Sequence, residues 1–427
     1  MQKLHKIALT AGLLALSVCG VKAQEKPNLD KPNIGEPQKP SMAQLRANDP
    51  AYEGLITASR LLSKNDALEK ATNSTAGLFD KQAAMDDPKV REALRLLGQW
   101  LDQNQIPSVE LSYTLDSFDP LFNQFGSFLQ MSRTLEAKQY TQLAEGRVSD
   151  AIDTTRDGLR LAVSLENHSL GGCQEGFKIE DIVILPLADH LDQLAMPDCA
   201  RLIRLSHDWE KTPNAILFAL NRERRAWMQA TERLTGEDGK KIRTLLQQIP
   251  DTAAKPDTDE AKMLAQLKSL DDKTWLDLVK RTAVGIDQIF TKATQEMQSP
   301  IYKRGAPEKF NQTKDIVGNI EGLMASAVTP QIQKMEVDYV KRQAFAHLLG
   351  CHAAIRQFKW EYNRWPNSIE ELKIAELAKD PFSGNPLVYK KDKDGYTLES
   401  VGVPVYDKDG KLDETARVAI TLPEKVK

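Results

Sequence analysis

Between about Ala51 and Phe290 the apolar residues of this chain recur at helical spacing, and that periodicity constrains the fold most. The stretches AYEGLITASRLLSKNDALEKA and PKVREALRLLGQWLDQN both carry Leu, Ile and Ala at that spacing. A longer run, LFNQFGSFLQMSRTLEAKQYTQLAEG, is opened by Asp119-Pro120 as cap and first helical residue and stopped by Gly146. The next helix is expected from Ser149, as cap, to Leu165. IEDIVILPLADHLDQLA follows as a nearly all-apolar helix, with a kink expected at Pro186. Further helices are read in ARLIRLSHDWEKT, in ILFALNRERRAWMQATERLTG and in the run from Ala261 to Met297, with Ile249 to Lys262 as a surface loop. Aromatic residues make up only 6%, so Leu, Ala, Ile and Met packing helix on helix is expected rather than a large β-sandwich. At 427 residues the chain has room for two or three domains.

The N-terminus reads as an export signal. Lys3 and Lys6 precede an apolar run from Ile7 to Val18, shorter than the roughly 20 residues a spanning helix needs. Val21-Lys22-Ala23 supplies a small-x-small cleavage pattern, so residues 1–23 are read as a signal cleaved at Ala23. Lipidation at Cys19 is a rival reading, which Val18 fits poorly, and an uncleaved anchor is a third. Residues 24–50 hold five prolines and few apolar side chains and are read as a disordered linker. Loss of residues 1–23 removes three lysines and no acid, leaving 54 basic against 60 acidic residues, a net charge of −6. That balance argues against nucleic-acid binding. The expectation is a periplasmic or secreted, soluble protein with no transmembrane segment after cleavage.

An oxidising compartment permits disulfides, and Cys173 and Cys199 bracket one expected helix and are the candidate pair. Cys351 would then be a buried thiol; all three unpaired and buried is the competing reading. In EGRVSDAIDTTRDGLRLA, Gly146 and Ala151 stand in a G-x-x-x-x-A-I arrangement, and Ala151 and Gly158 lie seven apart. The segment resembles one tetratricopeptide hairpin. No second copy follows at a 34-residue period, so a lone α-hairpin is preferred to a repeat array.

The pattern changes near the C-terminus. A long helix is expected from Thr329-Pro330 to about Arg364, roughly 50 Å at 1.5 Å per residue. NSIEELKIAELA reads as a short helix. LVYKK and YTLESVG read as strands joined at Asp394-Gly395, followed by a second turn at Asp409-Gly410 and a last strand in RVAITL. In DPFSGNPLVY, Asp380 is placed to accept from backbone N–H groups, Gly384 to supply a positive φ, and Pro386 to precede the strand. Leu387, Tyr389, Tyr396 and Leu398 are placed to cover the long helix.

This ending resembles the soluble part of type II secretion major pseudopilins. Asn363, Arg364, Trp365, Pro366, Asn367, Ser368, Ile369 and Leu372 match its turn, with Trp365 for the usual tyrosine and Asn363 for the usual glycine. Asp380, Pro381, Gly384, Pro386, Leu387 and Tyr389 match the next element, and Gly395, Tyr396, Leu398, Ser400, Val401 and Gly402 the second hairpin strand. It also resembles the C-terminus of uncharacterised exported bacterial proteins that have a helical body before it. Pseudopilins begin with a transmembrane helix that packs their fibre; here the matching helix lies some 330 residues into the chain and is charged throughout, so that polymerisation is excluded. The resemblance implies calcium near the end of the fold, with Ser400, Asp407, Asp409, Asp413 and carbonyls around Val401 to Val403 as candidate ligands. Solvated Asp-rich hairpins are the alternative.

No H-E-x-x-H, C-x-x-C, Walker A, G-x-S-x-G, S-x-x-K or G-x-G-x-x-G is present. His347 and His352 are five apart, off the i, i+4 zinc pairing. Cys173, His190, Cys199 and His207 match no standard metal spacing. His207, Asp208 and Glu210 diverge around a helix, and Arg222, Arg224 and Arg225 read as a solvated basic face. No catalytic residue and no cofactor beyond calcium is assigned.

The expected fold is therefore mainly α. A multi-helix body with a tetratricopeptide-like hairpin spans residues 51–328, and a long helix with a small pseudopilin-like α+β module spans 329–427. The expected function is that of an exported binding or structural protein of the bacterial envelope with a protein partner. The alternatives are a hydrolase whose site assembles only in three dimensions, and a tetratricopeptide-like peptide adaptor.

Overall fold

The computed structural model describes residues 52–73, 75–103, 111, 113, 124–249, 259–306, 318–393, 395–407 and 411–422. The readings at Cys19, Ala23, residues 24–50, Asp119-Pro120, Asp394 and Asp409-Gly410 fall outside these residues. The described chain is mainly helical with one small antiparallel sheet. Helices α1 (Glu53–Leu62), α2 (Asp66–Ala71), α3 (Leu78–Asp86) and α4 (Pro88–Asp102) come first. Then come α5 (Phe125–Ala144), α6 (Val148–Glu166), α7 (Leu170–Asp189) and α8 (Met196–Glu210). Helices α9 (Ala215–Leu234), α10 (Glu237–Gln248), α11 (Asp259–Ser269) and α12 (Asp272–Glu296) precede the long α13 (Ile320–Tyr362). The sheet is β1 (Val388–Lys391), β2 (Tyr396–Ser400) and β3 (Ile420–Thr421), in that order. No helix among the described residues is long and apolar enough to cross a membrane.

Gly146 ends the turn after α5 at φ +72°, as its position suggested. Gly158 marks a close approach of two helices. A Cβ there would lie 2.6 Å from Val183 Cγ1, so the missing side chain lets α6 close on α7. Ser149 is not the cap of α6; its hydroxyl donates to Asp198 at 2.7 Å, and Arg147 takes the cap position. Pro186 falls in the last turn of α7.

The long helix begins earlier than Thr329. Asn319 accepts from the Gly322 amide and caps it, and Pro330 lies inside. Its 43 residues extend about 65 Å. Ile320, Met324, Ile332, Met335 and Val340 enter one core, with α9 and α12; Leu348, Leu349, Cys351 and Ile355 enter the other, with α1, α4 to α8 and the sheet. A boundary at 328/329 therefore falls within a helix that both cores share. Asn363 ends it at φ 53°, a left-handed position that asparagine tolerates better than most residues.

Beyond α13 the expected short helix is only a 3-10 turn, Ile369–Leu372, closed by Lys373 at φ 56°. Asp380 is fully buried: Oδ1 accepts from the Phe382 amide and the Ser400 hydroxyl, both at 2.9 Å, and Oδ2 from the Val401 amide at 2.8 Å. One carboxylate thus ties the turn to the end of β2. Gly384 has φ +71°, and a Cβ there would strike the Tyr302 ring. Strands β1 and β2 pair from Val388 with Glu399 to Lys391 with Tyr396. Leu387, Tyr396 and Leu398 are buried, and the Tyr389 hydroxyl donates to Pro366 O at 2.8 Å.

Candidate functional site

A cleft of about 730 Å³ opens where α12, α13 and the C-terminal segment meet. Ile289, Ala293 and Met297 form one wall, Ala325, Ile332 and Val337 the second, and Val403, Pro404 and Tyr406 the third. Its volume falls within the range of about 300–1,000 Å³ typical of small-ligand sites. Tyr406 donates to Arg304 O at 3.2 Å and holds the third wall against the turn after α12. Arg304 donates through Nε to Ser299 O at 2.8 Å and pairs with Glu336.

Two acids at this cleft are shifted in opposite directions. Burial pushes the Glu336 carboxyl up, Arg304 pulls it back, and nearby Glu296 adds to the rise. Glu321 is held down by the Arg281 guanidinium, which donates at 2.9 and 2.7 Å. They lie fifteen residues apart on α13, roughly 22 Å of helix, against the ~5–9.5 Å of carboxyl pairs that share one glycosidic bond. No histidine or cysteine lines the cleft among the described residues. The lining is thus apolar walls with charged side chains that pair with one another.

A second, smaller cleft of about 350 Å³ runs beside α6. Arg156, Leu159, Arg160 and Val163 of α6 face Trp100 of α4 and Asp208 and Trp209 of α8. Trp209 links this cleft to a polar cluster beneath it. Its indole N–H donates to Glu180 Oε1 at 2.7 Å, and Arg342 Nε lies 2.9 Å from the same oxygen. Arg342 also lies 3.4 Å from Glu166 Oε2. Burial pushes both carboxyls up, Glu180 well up, and the single guanidinium offsets only part of that. Glu166 Oε1 and Glu180 Oε2 have no hydrogen-bond partner, and the two carboxyls act on each other as well as on Arg342.

The residues singled out in the sequence are not brought together. Cys173 and Cys199 are free and buried, so the expected disulfide is absent. Cys173 lies in the first turn of α7, about 24 Å of helix from its far end, whereas Cys199 lies in α8, and a disulfide tolerates Cα separations of only about 7 Å. Cys173 instead donates to Glu166 O at 3.0 Å. Of the calcium candidates, Ser400 is buried against Asp380, while Asp407 accepts from the Lys411 amide and Asp413 from the Thr415 and Ala416 amides. Asp409 is outside the described residues. Among the described residues no group of three His, Cys, Asp or Glu is placed to hold a metal. His190 Nδ1 is bonded to Pro186 O at 2.8 Å. The basic face is partly neutralised: Arg224 pairs with Asp287 at 2.7 Å, and Glu223 is buried against Tyr113.

Neither family models, curated proteins nor solved structures give a match to this chain.

Sequence reasoning missed Arg342, Glu166, Glu180, Arg304 and Glu336. Glu180 carried a faint signal, an acid inside the apolar run IEDIVILP. Its partners Glu166, Trp209 and Arg342 are 14, 29 and 162 residues away in the chain, beyond any local pattern.

Proposed function

We propose that this chain is an exported envelope protein that acts by binding, with the cleft between α12, α13 and the C-terminal segment as its ligand site. The observation that carries this reading is a 730 Å³ space with apolar walls on three sides, lined also by the Arg304–Glu336 pair. The ligand class that fits has an apolar body, with polar groups at Lys292, Lys303 and the glutamates on the rim. Export rests on the residues before Ala23, and the pseudopilin-like reading of the ending supports a place in the envelope, where the C-terminal module serves as a docking or stabilising unit. Native mass spectrometry of protein purified from an exporting cell tests it. A non-covalent mass of a few hundred daltons, lost in Ala325→Phe, is expected; an empty protein with no small molecule recovered under any gentle condition speaks against it.

The peptide-adaptor reading is favoured by one observation, the groove along Leu159 and Val163 of the tetratricopeptide-like hairpin. Peptide binding that survives Ala325→Phe and is lost in Val163→Trp would move the site there.

A further inference from the structure

Two histidines of α13 join the long helix to the C-terminal segment. His347 Nδ1 bonds to Lys379 O, at the isolated bridge between Lys379 and Pro386 that opens the hairpin unit. His352 Nδ1 lies 2.8 Å from the Tyr396 hydroxyl on β2, with ring centroids 5.6 Å apart and the Leu422 backbone against the ring. Both are buried, His352 to 1% exposure. Both contacts cross from the helical body to the residues beyond it.

We propose that His347 and His352 form an acid-sensitive latch: while both rings are neutral the C-terminal segment stays seated on α13, and protonating them releases it. A carbonyl can only accept, so His347 carries its proton on Nδ1, and a second proton must enter at Nε2. Around His347, α8 presents Glu210, and the turn presents Glu376, Lys379 and Asp380; the three acids favour the charged ring, but burial outweighs them and its pKa is lowered. His352 meets the Tyr396 hydroxyl and the Leu422 backbone, and Tyr396 in turn faces Arg356, Tyr389, Cys351 and Cys199, of which only Arg356 is charged at neutral pH. Burial therefore dominates there, and its pKa falls to about 3. Each histidine holds the segment fully above its free value near 6.5, and that hold weakens as the pH drops towards the depressed value.

The released segment carries Val403, Pro404 and Tyr406, one wall of the large cleft. Release would open that cleft, a consequence that rests on the binding reading; the latch itself does not.

Hydrogen exchange of the β1 and β2 amides, corrected for intrinsic rate, tests the latch. Between pH 7.5 and 5.5 the opening equilibrium should rise by up to about tenfold per histidine, about 100-fold in all. The double variant His347→Asn, His352→Asn keeps a neutral group at each Nδ1 position and should show no such rise. A flat wild-type profile, or an equal rise in the variant, overturns the latch. If the variant does not fold, imidazole NMR of the wild type decides. Both rings should stay neutral through pH 6.5 and titrate together with hairpin exchange, and an ordinary titration with unchanged exchange overturns the proposal. Loss of 1-anilinonaphthalene-8-sulfonate at pH 5.5 reads the coupling to the cleft separately.

Discussion

Arg342 Nε lies 2.9 Å from Glu180 Oε1 in the middle of the helical body, with the arginine side chain 5% and the glutamate 2% exposed. The pair joins α13 to α7, and Glu166 brings α6 to the same guanidinium. Removing one partner of such a cluster leaves the rest buried and uncompensated. Arg342→Met should therefore lower the stability to urea by about 3–5 kcal/mol. Glu166→Gln keeps the shape and leaves one carboxylate, Glu180, to one guanidinium, so it should cost far less. Equal losses in both variants would contradict this account of the cluster.

The same carboxyls set a pH dependence. Burial raises both above their unfolded value of about 4.3, so their contribution is intact below that value and declines as the pH rises towards the folded values. The double variant Glu166→Gln, Glu180→Gln should flatten the wild-type loss of stability from pH 5 to pH 8. Urea midpoints across that range check it.

Asp380 joins the turn to the end of β2 through the Phe382 amide, the Ser400 hydroxyl and the Val401 amide. In Asp380→Ala these buried donors lose their acceptor, a cost of about 1–3 kcal/mol for each one left unsatisfied. Faster exchange of the β2 amides, with α6 and α7 protected as before, is the expected pattern.

Three buried free thiols should resist alkylation. Burial pushes Cys173 well up and Cys199 to about 11, so little thiolate forms at pH 8. A chain starting at residue 24 should take up iodoacetamide at three sites in urea and at almost none when native. A disulfide-linked Cys173–Cys199 peptide in the digest would contradict the structure.

Local rules carried far in this chain. The helical periodicity, the stop at Gly146, the positive φ at Gly384, the acceptor role of Asp380 and the β1–β2 hairpin were all legible, because each depends on neighbours within a few residues. The start of α13 was misplaced because Thr329-Pro330 looks like a cap and first turn, yet Asn319 supplies the cap and Pro330 is carried within the helix. Of the two readings of the cysteines, paired or all buried and free, sequence could not choose, because Cys173 and Cys199 sit in two different helices whose packing only folding sets. The large cleft left no trace, since its walls come from α12, α13 and residues 403–406, which only folding brings together.

The most direct measurement of the central claim is titration of the folded chain with 1-anilinonaphthalene-8-sulfonate, an apolar anion suited to the walls and rim lysines of the large cleft. Saturable binding at one site is expected. Ala325→Phe should abolish it while the urea midpoint holds, because Ala325 lines the cleft and is only half-buried. No saturable site, or undiminished binding in Ala325→Phe, would contradict the assignment of the cleft.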